Sequence, residues 1–236
     1  MFEKVSRDNI EQFVVKEIGR PKWRDARVRV VEVDGRRALL KDVRDRNPVF
    51  RFLIGRPLLA REFRFYRQLE GVSGVPRAFR RLDKDGFLAE WISAERPSRR
   101  RKREGRTPDD DEYRRWFELL DELHRRGFVH LDLRNMSNFL LGDEGDVYVV
   151  DFASALHLPR WLPFRSGLVR FLGSFDRAGV LKMKRRLSPE LLSADEAAAL
   201  SRFEKIRALL LPPVWLSGLF RRLVRRRRRA ARRKAD

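Results

Sequence analysis

The chain has 236 residues, 42% of them hydrophobic, with 17 Phe, 5 Trp and no cysteine. That is enough apolar material for the core of one large domain or two small lobes, and it excludes a disulfide framework and cysteine-ligated zinc. The net charge of +21 points to an acidic partner: nucleic acid, an anionic membrane surface or a phosphorylated substrate.

The opening "MFEKVSRDNI" has no apolar core and no small-residue cleavage site, so no secretory signal is expected and a cytoplasmic location follows. Residues 27–43, "RVRVVEVDGRRALLKDV", read as two strands joined at Asp34-Gly35, a short hairpin turn. "PLLAREFRFYRQLEG" (57–71) reads as a helix with Pro57 at its start, Gly71 at its end and an apolar face of Leu58, Leu59, Phe63, Tyr66 and Leu69. Two more strands are predicted near 77–82 and 86–92.

The basic block 96–106, "RPSRRRKREGR", contains Pro97 and Gly105 and shows no periodicity; it is expected to be a linker or exposed loop. Residues 107–127 read as a helix, capped by Thr107, with Pro108 in the first turn, acids at the positive end and Gly127 past the last turn. Tyr113, Trp116, Phe117, Leu120 and Leu123 would form its buried stripe. Residues 157–210 look mostly helical. The β-rich front and helical back predict an α+β chain: an N-terminal lobe over 1–92, a hinge and basic loop over 93–106, a C-terminal lobe over 107–210, and an apolar segment with an Arg-rich tail over 211–236.

Two segments suggest contact with a membrane. "ALLLPPVWLSGLF" (208–220) carries no charge, is too short to span a bilayer, and precedes the cationic 221–234. This pairing reads equally as an interfacial anchor on an anionic surface and as a core segment with a solvated tail. "LPRWLPFRSGLVRFLGSFDR" (158–177) mixes aromatics with Arg, as would either a lipid-facing surface or a helical core with exposed Arg.

The chemistry concentrates in "VHLDLRNMSNFLLGDEGDVYVVDFASAL" (129–156). Here His130, Asp132, Asn138 and Asp151 fall at strand ends or in loops around a hairpin, where side chains can converge. An Asn and an Asp at opposite ends of one hairpin can both reach a Mg²⁺ that shares its shell with phosphate oxygens, leaving Asp132 to orient a hydroxyl. Taken singly, each of these residues is more simply a turn former or a strand terminus; the ordered set is harder to explain that way.

"HLDLRNMSN" followed by "DFA" resembles the catalytic loop and metal-binding segment of the protein-kinase-like superfamily, and "LHRRGFVH" matches the family's lead-in to that loop. There is one residue more than the pattern between Asp132 and Asn138, so Asn135 and Ser137 compete with Asn138 as the metal ligand; Asn138 is preferred. The resemblance implies a two-lobed kinase-like fold. It places Lys41, closing "ALLK", on the α/β-phosphates of ATP, with Glu62 as its partner on the following helix. It places Mg²⁺ on Asn138 and Asp151, makes Asp132 the group that orients or deprotonates the acceptor, and puts Arg134 beside the moving phosphoryl. The backbone at Glu90 and Ile92, within "FLAEWI", would bind adenine. His130 is expected to brace the loop.

Two departures stand out. "EIGRPKW" (17–23) offers only Gly19, with Arg20 or Lys22, where the family has a glycine-rich phosphate loop, and Ala153 replaces the Gly after Asp-Phe. "SPE" (188–190) is better explained as a serine-capped helix start than as the end of an activation segment. The short chain and its basicity are most similar to the lipopolysaccharide-kinase branch, near the RIO-type kinases. That likeness implies an acidic lipid or phosphosugar acceptor, a Kdo or heptose hydroxyl, at the inner face of a bacterial membrane. Protein Ser/Thr kinase, small-molecule phosphotransferase and a catalytically silent basic adaptor for RNA or membrane are the alternatives.

Overall fold

The computed structural model describes residues 2–19 and 25–210. Arg20, Lys22 and the segment 211–236, which carries most of the apolar stretch and the whole Arg tail, lie outside the described residues. Residues up to Leu192 form one compact unit and those from Ser193 a second. The chain is mixed α+β, with a β-rich N-terminal region and a helical C-terminal region.

A short turn at Ile10–Phe13 leads into β1 (Val14–Glu17). β2 (Arg27–Val33) and β3 (Arg36–Asp42) form the expected hairpin. Asp34 and Gly35 both take positive φ, 50° and 73°, as a two-residue turn between twisted strands requires. After α1 (Pro48–Phe50) and a wide turn comes α2 (Arg56–Gln68), then β4 (Ala78–Arg81) and β5 (Gly86–Glu90). Among the described residues, these strands make one antiparallel sheet in the order β1-β2-β3-β5-β4.

The period of two along β3 and β5 gives the sheet two buried faces. Ala38, Leu40 and Leu88 pack with Phe2, Val5 and Ile10 on one side, while Phe87 and Ala89 pack with Phe65 and Tyr66 of α2 and with Leu69, which follows it, on the other. Lys41 is out of phase with Ala38 and Leu40 and stands opposite Phe87. It therefore faces α2.

The chain crosses at 91–93 to β6 (Ala94–Glu95) and then forms α3 (Pro97–Glu104). This corrects the expectation of a linker or exposed loop over 96–106. Pro97 sits in the first turn and Gly105 closes the helix at φ 71°. The helix is fixed by charge rather than by an apolar stripe. Arg100 is buried, bonding the Gly142 carbonyl at 2.9 Å and reaching Glu95 and Asp143.

α4 (Asp110–Arg126) starts from Asp109 rather than Thr107. Asp109 and Glu112 form a reciprocal capping box that satisfies two backbone donors. Trp116 is fully buried, edge-on to Phe139 at 5.5 Å and donating its indole N–H to the Tyr148 carbonyl. β7 (Phe128–Val129) enters the polar loop, and β8 (Phe139–Gly142) and β9 (Val147–Val149) join β6 in a second sheet. β10 (Leu156–His157) pairs with β7, and α5 (Arg165–Leu187) follows.

Ser188 is buried and bonds the Pro108 carbonyl and the Tyr113 hydroxyl, with no side-chain capping bond to the turn after it. The expected serine cap is therefore replaced by a tie to the start of α4. The second unit contains α6 (Ala194–Leu210), whose Ser193 and Glu196 exchange capping bonds.

Gly74, at φ 85°, holds the turn after α2 against β9. Its carbonyl accepts from Val149, and a Cβ there would lie 2.6 Å from the Val147 carbonyl oxygen. The front sheet and the hairpin behind it thus meet at a contact no side chain can enter. Replacing Trp116 by Ala, at the centre of the back core, is expected to lower the unfolding free energy by about 3–5 kcal/mol in urea titration.

Candidate active site

The site begins with a cation. Lys41 Nζ lies 2.8 and 2.7 Å from the two carboxylate oxygens of Glu62, on α2, and 2.7 Å from Asp151 Oδ1, just past β9. Glu62 is only 1% exposed, a position a carboxylate tolerates only when paired. Burial works against the Lys41 ammonium, but Glu62 and Asp151 outweigh it and raise its pKa, so it stays charged. Burial pushes Glu62 upward, opposed by Lys41. Burial also acts on Asp151, but the Lys41 charge and hydrogen bond prevail and hold it below the ordinary carboxylate range.

Asp151 is placed by its backbone. It adopts φ 70°, ψ 69°, a left-handed conformation uncommon outside glycine. Its N–H donates to the Tyr66 hydroxyl at 3.1 Å. Phe152, fully buried, packs edge-on against Tyr66 at 5.3 Å and His130 at 4.9 Å. Ala153 enters a helical turn at negative φ and gives its carbonyl to Arg61, so the position does not demand glycine here.

The second part of the site is the loop after β7. Asn138 is buried and donates from Nδ2 to both the carbonyl and Oδ2 of Asp132, each at 3.1 Å. Asn135 is exposed and caps the turn Met136–Asn138 by accepting from Ser137. The side chain that bonds the Asp132 carboxylate is thus that of Asn138 rather than Asn135. The Val150 N–H donates to the Asn138 carbonyl. Phe139 pairs with Val149, so Asn138 and Asp151 flank the same end of the hairpin.

Both nitrogens of His130 are accounted for. Nε2 donates to the Val150 carbonyl at 3.1 Å and Nδ1 lies 3.4 Å from the Asp132 N–H, which is the neutral tautomer. Burial pushes its pKa below the ordinary value. It is a brace.

Sequence reasoning missed Asp176. This buried residue of α5 accepts from the His130 and Leu131 N–H groups, both at 2.7 Å, and its Oδ2 lies 3.1 Å from His124 Nε2. It holds Leu131 at φ 65°. Gly179, one turn on, lets α5 approach until a Cβ would lie 2.7 Å from the Leu133 carbonyl oxygen. A lone carboxylate inside the apolar run "FLGSFDRAGV" was the available clue.

The remaining residues divide. Arg134 is half-buried on the same loop. The Glu90 N–H is already donated to the Arg77 carbonyl at 2.8 Å, and the Glu90 carboxylate accepts from the Arg77 N–H. Ile92, between β5 and β6, enters no backbone hydrogen bond among the described residues.

Among the described residues no three His, Asp or Glu side chains come together to cage a metal. Mg²⁺ makes a smaller demand, because it is commonly bound by one or two protein oxygens together with phosphates. A half-exposed, ionised Asp151 and the Asn138 amide fit that donor set. No helix among the described residues is long and apolar enough to cross a membrane. Compared with known proteins, the chain matches no family model and none of the curated proteins.

Because His130 is held neutral, the unfolded chain binds more protons below about pH 6.5, and stability should fall as pH drops from about 7 to about 5. His130→Asn is expected to flatten this slope, by at most about 1.4 kcal/mol per pH unit, leaving the part contributed by His157, also shifted downward. Denaturant titrations across that range check it; equal slopes would contradict the neutral brace.

Proposed function

We propose that the chain is an ATP-dependent phosphotransferase of protein-kinase-like fold that moves the γ-phosphoryl group to an alcohol. The observation that carries this reading is the Lys41 ammonium held at 2.7 to 2.8 Å by a buried Glu62 and by Asp151. A silent adaptor has no physical need to bury that charge system beside the Asp132–Asn138 pair.

On this reading Lys41, kept protonated, neutralises the α/β-phosphates, and Glu62 fixes its position. Asp151 and Asn138 would hold Mg²⁺, which supplies charge neutralisation at the β- and γ-phosphates when bound. Asp132, its Oδ2 held by Asn138, orients the acceptor hydroxyl and takes its proton. The acceptor oxygen bonds to the γ-phosphorus as the bond to the β-bridging oxygen breaks, and ADP leaves with that electron pair. Arg134, two residues past Asp132, would offset charge on the moving group. The free backbone of Ile92 suits adenine.

The finer reading takes the acceptor as a sugar hydroxyl of a lipopolysaccharide core, in the manner of the lipopolysaccharide-kinase branch, at the inner membrane face. Labelled ATP offered with lipid-linked sugars, proteins and small alcohols separates this from a protein or small-molecule kinase. Asp132→Ala and Asp151→Ala are each expected to lower turnover by about 10²-fold or more. Asp151→Ala should also weaken Mg-ATP binding, whereas Asp132→Ala should preserve it. Unchanged turnover in either variant would end the assignment.

A further inference from the structure

Downstream of Asp151 the chain exposes side chains that a folded protein normally hides. Trp161 is 81% and Phe164 88% exposed, and Leu156, Leu168 and Phe171 are also open to solvent. Phe164, Leu168 and Phe171 recur at intervals of four and three residues. They form one exposed stripe from the N-cap of α5 along its first turns, and Phe171 lies edge-on to Phe175 at 5.9 Å.

The charge on this face has one sign. Between Asp151 and Asp176 there is no acidic residue, but there are three arginines, Arg160, Arg165 and Arg170. Arg165 gives its donors to the Leu158 and Arg125 carbonyls. Among the described residues no carboxylate forms a salt bridge with Arg160, Arg165 or Arg170. The local field is felt nearby: burial and the charges of Arg165 and Arg64 push the His157 imidazole below its ordinary value.

We infer that this face, from Leu156 to Phe171, docks on an anionic lipid bilayer, with Trp161 and Phe164 inserted at the headgroup boundary and the exposed Arg160 and Arg170 on lipid phosphates. Protruding aromatics beside cations that no carboxylate neutralises suit a soft, negatively charged apolar boundary, where two weak attractions add. A protein partner would have to supply matching acids, and a second copy of this chain would bring the same arginines against these. The face is also tied to the site. β10 pairs with β7, which runs directly into His130–Asp132, and the Leu158 N–H donates to the Gly127 carbonyl. The inference concerns docking alone and does not depend on the phosphotransferase reading.

The test uses the full chain and sedimentation with phosphatidylcholine vesicles containing phosphatidylglycerol, without nucleotide. Measured in about 1 M NaCl, where the Debye length is about 3 Å, the arginines of both the tail and the face are screened, and the assay reads the aromatic insertion alone. W161S/F164S should partition about tenfold or more weaker than the parent, while Leu53→Ser, at a residue 72% exposed in the N-terminal half, should bind as the parent does. Equal partitioning of parent and double variant, or an equal loss in Leu53→Ser, would overturn the proposal. So would ultracentrifugation showing a parent dimer that the double variant splits. ATP turnover on a soluble alcohol, measured in the same variant, keeps a failure of docking distinct from a failure of the chemistry.

Discussion

The Lys41 ammonium held between Glu62 and Asp151 is the constraint on which the rest of the structure depends. It joins three parts of the chain: the third strand of the front sheet, the helix behind it and the hairpin of the back half. Glu62 cannot remain ionised without Lys41, because burial alone would neutralise it. Lys41 in turn is fixed by two carboxylates, so the trio carries an excess negative charge at the half-exposed Asp151. A site of this kind invites cations at one oxygen and phosphate at the ammonium.

What surrounds the trio keeps it aligned. The period of two along β3 and β5 turns Lys41 towards α2 by the same alternation that sends Leu40 and Leu88 to the opposite face. Tyr66 anchors the left-handed backbone of Asp151, and Asp176 anchors that of Leu131. Each unusual torsion costs about 1–2 kcal/mol and is held by a named hydrogen bond. Gly74 and Gly179 mark where backbones approach too closely for a side chain. The Tyr66 and Asp176 side chains and two glycines thus do for position what Lys41 does for charge.

Elements with a local cause were legible in the sequence. The Asp34-Gly35 hairpin, α2 and α4 follow from turn chemistry and apolar period. Elements whose cause is distant were not. α3 has no apolar stripe; it forms around Arg100, whose partners include Gly142 and Asp143, more than forty residues away. Asp176 acts on backbone groups 45 and 46 residues earlier, and nothing in the loop itself announces it. The capping box Asp109–Glu112 was readable, but was hidden by the more conspicuous Thr107-Pro108. Part of the basic excess proved internal: Arg7 and Arg29 converge on the buried Asp42, and Arg56 pairs with Asp85. The net charge therefore overstates what faces a partner, and the concentrated face after Asp151 carries more meaning than the total.

The central claim is that Lys41 and Glu62 act as one unit toward nucleotide phosphate. A double-mutant cycle of Lys41→Met and Glu62→Gln, read by the affinity for Mg-ATP in calorimetry, tests it most directly. The account expects strong non-additivity, with the double variant binding no more weakly than Lys41→Met alone. Losses that simply add, or a Glu62→Gln variant with undiminished affinity, would show that the pair serves folding alone.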